Sequence, residues 1–137
     1  MKAKQLSIVL AALVSALVLS VVVYSHSKVS KCEDAYTTAA KSVEGVVSAE
    51  FECSFQFGGG WQRAKVTVKA TTKTEATAVM DGVLRALAAS PGLEDTWATP
   101  QQYTNEDGTV AVAANSVGFK APPTVGDLRT HYGIKPG

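Results

Sequence analysis

The spacing of apolar and polar positions changes several times along this chain, and each change marks an element. Leu6 to Tyr24 is a run without a charged side chain. Built as a helix at about 1.5 Å per residue it reaches roughly 28 Å, close to the hydrocarbon thickness of a bilayer. A transmembrane signal-anchor helix is therefore expected over 6–24, behind a cytoplasmic leader over 1–5 and ahead of a polar spacer over 25–31. Ser30 followed by Glu33 has the capping-box spacing of a helix start, and Cys32, Tyr36, Ala39, Ala40 and Val43 then fall on one helical face as far as a stop at Gly45.

Beyond Gly45 the period drops to two. Val47, Ala49, Phe51, Cys53, Phe55 and Phe57 alternate with polar residues, the pattern of a strand with one buried face. Gly58, Gly59 and Gly60 read as a hairpin turn, and Trp61 to Thr71 alternates again, with Ala64, Val66, Val68 and Ala70 inward. Outward on that strand stand Arg63, Lys65, Thr67 and Lys69, complementary in charge to Glu50 and Glu52 on the strand before. Thr72 and Glu75 repeat the capping spacing ahead of an amphipathic helix through Ala76, Val79, Met80, Val83, Leu84 and Leu87 that ends at Ser90-Pro91-Gly92. Thr96 to Tyr103 reads as a strand weakened by Pro100, and Thr109 to Ala114 as a short strand with Val110 and Val112 inward. Thr124 to Tyr132 reads as a short C-terminal helix closed by Gly133.

The order α-β-β-α-β-β, with that short last helix, predicts an α+β domain over 32–137, a two-layer sandwich of helices on an antiparallel sheet. It resembles the element order of small envelope modules built from repeated helix-hairpin units, such as the BON family. That likeness is one of topology, without a residue motif, and implies no activity.

Composition narrows the partners. Of 137 residues, 46% are apolar and 18% charged, and much of the apolar excess sits in the N-terminal run. Setting Lys2 and Lys4 aside from the 13 Lys and Arg leaves the rest of the chain near balance with its 12 Asp and Glu, so neither a broad nucleic-acid-binding surface nor an acidic tail is expected. A short positive leader before an apolar segment delivers the downstream chain across the membrane, which places the domain outside the cytoplasm. Ser25 and Ser27 supply small residues at cleavage spacing, so the alternative is a signal peptide removed after Ser27 and a secreted domain. Within the apolar run, Ser7, Ala11 and Ser15, and again Ala12, Ala16 and Ser20, form small-residue stripes that either pack against another helix or reflect ordinary composition.

Candidate chemistry is sparse. Cys32 and Cys53 are the two cysteines, each on the apolar face of its element, and a disulfide between them is expected; two buried free thiols are the alternative. His26 and His131 lie in no ligand spacing, and no metal or other cofactor is expected. Glu94-Asp95 and Glu106-Asp107 are loop neighbours, without the separation across a cleft that a carboxylate pair needs, and no nucleophile elbow or phosphate loop is present. An enzyme is not expected. What remains is a surface: Trp61, Arg63, Lys65 and Lys69 on the outer sheet face, with Trp97 and Tyr103 nearby, form either a partner-binding patch or a solvated face balanced by Glu50 and Glu52. The expected function is a membrane-anchored extracytoplasmic binding or accessory protein of a cell-envelope complex. The alternative is a secreted domain that binds a small ligand or cell-wall glycan.

Overall fold

A computed structural model of the chain describes the backbone over residues 2–55 and 61–137, and side chains over 10–20, 27–55 and 62–137. Helix α1 runs unbroken over Lys2–Lys41. No proline or glycine interrupts that stretch, so a helix once nucleated propagates through it. The backbone is therefore helical across 25–31 too, and Ser30 is an interior helix residue with no cap to make. Glu33 does other work, accepting a hydrogen bond from the Cys53 amide at 3.2 Å. Among the described residues no helix is long and apolar enough to cross a membrane. The span expected over Leu6–Tyr24 lies partly outside them, on the side chains of 6–9 and 21–24.

The far end of α1 belongs to the core, with Cys32, Tyr36, Ala39 and Ala40 buried. Gly45, at φ +95, reverses the chain into β1, Val46–Ser54, which pairs antiparallel with β2, Trp61–Val68. The ladder slips between Val46 and Ser48, and this bulge leaves Val47 49% exposed rather than inward, while Ala49 and Phe51 keep the buried face. Phe57 and the three glycines of the turn lie outside the described residues.

Helix α2, Lys73–Ala89, starts as its sequence predicts, the Thr72 hydroxyl accepting from the Glu75 amide. The Glu75 carboxylate reaches one residue further back, to the Thr71 amide, at 2.9 Å. Met80, Val83, Leu84 and Leu87 are fully buried. Because α2 carries the chain back along the sheet, β3, Tyr103–Asn105, runs parallel to β2, and β4, Ala111–Val112, returns antiparallel. The fold is thus a mixed α+β structure on a four-stranded sheet of order β1-β2-β3-β4, not a purely antiparallel one.

The strand expected over Thr96 to Tyr103 is met at Tyr103 alone, since β3 begins there, and β4 is much shorter than its apolar pattern. Ala98 leaves the sheet to bridge Thr124, and the chain after Val112 tightens into a 3-10 turn at Ala114–Val117. Helix α3, Val125–Tyr132, opens with a reciprocal capping box between Thr124 and Asp127 and ends at Gly133. Arg129 on α3 fastens the end of α2: it donates to the carbonyls of Ala88, Ser90 and Leu93 at 2.7 to 2.9 Å, and to Asp95 at 2.5 Å.

Candidate functional site

Cys32 and Cys53 form a disulfide with Cα atoms 6.2 Å apart, tying α1 to β1. The helical stripe and the strand alternation put both residues on the buried side, and packing α1 on β1 brings them together. Beside the bridge the Lys28 ammonium lies over the Phe55 ring, 4.5 Å from its centre. Phe55 in turn meets Trp97 at 5.6 Å, and Tyr36 stacks on Phe51 at 4.9 Å. Burial pushes the Tyr36 hydroxyl far above the usual phenol range. It stays protonated and donates to the Ala98 carbonyl at 2.6 Å.

The opposite face of β1 and β2 is open. Glu50 stands across from Lys65 and Glu52 across from Arg63, as the alternation predicts, and all four are exposed. Lys69 is exposed just past the end of β2. The Trp61 side chain lies outside the described residues. The two aromatics expected nearby are elsewhere: Trp97 is 7% exposed and Tyr103 fully buried. The Ala98–Thr124 bridge pulls Trp97 under the hairpin, and Tyr103 sits between Val66 and Val112 with its ring inward. Among the described residues the Tyr103 hydroxyl and the Gln62 amide oxygen are buried without a hydrogen-bond partner.

Arg63 and Lys65 border two hollows. On the β1 side is one of about 620 Å³, walled by the carboxylates of Glu33, Asp34, Glu50 and Glu52. On the β3 side is a groove of about 560 Å³ whose other lining is neutral, with Gln62, Thr99, Gln101, Gln102 and Thr104. Nothing in the strand alternation points to the glutamines; the signal is Pro100, which has no N–H for a ladder and precedes a strand that begins at Tyr103.

The other candidates separate into structural roles. His131 packs against the Phe119 ring at 4.4 Å, and the His26 side chain lies outside the described residues. Asp95 serves Arg129, and Asp107 accepts from the Thr109 amide and hydroxyl in a turn. Among the described residues no group of three His, Cys, Asp or Glu could hold a metal ion. Ala11, Ala12, Ser15, Ala16 and Ser20 are all exposed on α1, while the Ser7 side chain is outside the described residues. The Ser15 and Ser20 hydroxyls turn back to the Ala11 and Ala16 carbonyls at 2.9 Å.

A cluster the alternation does not reveal joins α2 to α3. Tyr132 donates to Asp81 at 2.7 Å, and Arg85 pairs with the same carboxylate at 2.9 Å while lying 4.3 Å over the Tyr132 ring. Burial works to raise the Asp81 carboxyl, but the Tyr132 and Arg85 hydrogen bonds outweigh it and hold it below the usual range. Its legible trace is the Asp81–Arg85 spacing of one helical turn. The chain matches no protein family, no curated protein and no solved structure.

Proposed function

We propose that the protein is a membrane-anchored accessory protein of the cell envelope, with Leu6–Tyr24 as its span and the disulfide-closed domain outside the cytoplasm. In this reading it acts by binding a partner protein rather than by catalysis. The observation that carries it is on α1. Leu10, Leu13, Val14, Leu17, Val18 and Leu19 are each more than half exposed on a helix whose other end is locked into the domain. Removing those side chains from water is worth on the order of 10 kcal/mol, a drive that bilayer lipid satisfies on every side of the helix at once. The inward-turned hydroxyls of Ser15 and Ser20 suit the same surroundings, because the helix itself partners them. A disulfide fits an oxidising compartment. The open face around Arg63, Lys65 and Lys69, charged but without catalytic geometry, supports contact as its role.

The test is the intact mass of the protein from native membrane and culture fractions, alkylated with and without reduction. A full-length membrane species that gains alkyl groups only after reduction supports the reading. A mass starting at Lys28 in the culture fraction overturns the anchor. Co-purification with Lys65→Glu then checks the face, since a partner that uses it is lost from the variant and retained by the wild type.

A further inference from the structure

The groove beside β2 has the form of a vacant strand position. Among the described residues the β2–β3 ladder covers Val66, Thr67 and Val68, and across from Gln62 to Lys65 lies the groove instead of a strand. Its far wall, 98–102, is held away from β2: Ala98 bridges Thr124, its carbonyl takes the Tyr36 hydroxyl, and the Thr99 hydroxyl donates to Pro123 at 2.7 Å. Pro100 in that wall has no N–H to offer a ladder. The gap is therefore built into the fold and does not close on itself. Alternate residues of a strand direct their backbone groups to either side, so the groove-side edge of β2 offers main-chain donors and acceptors to an incoming chain.

Charge says what that chain carries. Arg63 and Lys65 border the groove, and among the described residues no carboxylate lines it. On the other flank of the same strand, β1 already sets Glu50 and Glu52, two residues apart, against Lys65 and Arg63. An added strand with acidic residues at alternate positions repeats that arrangement from the groove side, with Gln101 and Gln102 available to its outer edge. The edge from Gln62 to Lys65 accommodates about four residues at about 3.3 Å each.

We propose that the β2 edge over Gln62–Lys65 binds an extended acidic segment of a partner protein as an added strand. This rests on the proposed role of the domain as a binding module. The experiment uses the full-length protein in detergent micelles and a labelled, end-capped peptide of alternating glutamate and valine. Two controls accompany it: the same pattern with lysine for glutamate, and the glutamate peptide N-methylated along one edge. Saturable binding of the first peptide is expected, with the controls weaker by about tenfold or more. Amide exchange should slow at Gln62–Lys65, and Lys65→Gln, which removes the charge without setting a carboxylate against Glu50, should weaken binding by a similar factor.

Absence of saturable binding, equal binding of the N-methylated peptide, or protection that maps elsewhere overturns strand addition. If the native partner still depends on Lys65 while the peptide fails, the binding role survives and strand addition alone falls. If neither depends on Lys65, both fall.

Discussion

Replacing Arg129 with methionine removes the clasp between α3 and the end of α2 while keeping much of the side-chain volume. The guanidinium is 12% exposed and donates to the carbonyls of Ala88, Ser90 and Leu93. The Ala88 carbonyl, in the last turn of α2, lacks an intrahelical partner and lies at the negative end of the helix dipole, and the Ser90 and Leu93 carbonyls follow it in the turn, so a buried cation there serves all three. Each hydrogen bond to a charged group is worth about 1.5 to 3 kcal/mol, and three that share one side chain are not additive. Arg129→Met is therefore expected to cost about 3 to 5 kcal/mol, most of it from the stranded carbonyls. Arg129→Lys keeps the charge but cannot span the carbonyls with one ammonium, and should recover about half of that loss. Asp95 is 71% exposed, so Asp95→Asn should cost no more than about 0.5 kcal/mol. The assay is denaturant unfolding of the full-length variants in micelles, followed by tryptophan fluorescence. A loss under about 1 kcal/mol for Arg129→Met, or an equal loss for Asp95→Asn, would refute the carbonyl argument.

Further expectations rest on the same geometry. Replacing Cys32 and Cys53 together with alanine releases a loop of sequence separation 21 and should cost about 3 kcal/mol in the same assay, with helix content by circular dichroism unchanged. Gly45→Ala combines a backbone at φ +95 with a Cβ that would stand 2.8 Å from Val79 Cγ2, and a loss of about 2 kcal/mol is expected. Adding Val79→Ala should relieve the clash but not the backbone strain, so the double variant separates the two in a mutant cycle. The depressed Asp81 carboxyl stabilises the fold while ionised. Its contribution is complete above the unfolded value of about 3.9 and is lost as pH falls through the lower folded value. The stability gap between wild type and Asp81→Asn, measured by unfolding at stepped pH, should thus be constant near neutrality and close below about pH 4.

Elements decided by neighbours in sequence were legible without coordinates. The alternation through Ala49, Phe51, Val66 and Val68 defines a buried sheet face because successive side chains of a strand point to opposite sides. Thr72 locates a helix start because a hydroxyl there partners an amide otherwise unmatched, whereas the same spacing at Ser30 falls inside α1. The disulfide is legible because Cys32 and Cys53 each sit on the apolar side of an element, the side that packing turns inward.

What only the tertiary structure decided involves partners far apart in the chain. The direction of β3 depends on where α2 delivers the chain, and the parallel β2–β3 pair is invisible to a two-residue period. Trp97 and Tyr103 carry no local mark of burial; the Ala98–Thr124 bridge and the place of β3 between β2 and β4 put them inside. The same bridge holds the chain before β3 away from β2 and leaves the groove beside Arg63 and Lys65, so the candidate site exists through a strand that begins late. Arg129 reads in sequence as one more exposed helical charge, and the carbonyls it serves lie 36 to 41 residues away. Local periodicity records which side of an element avoids water, and it is silent on which distant polar groups that side must satisfy.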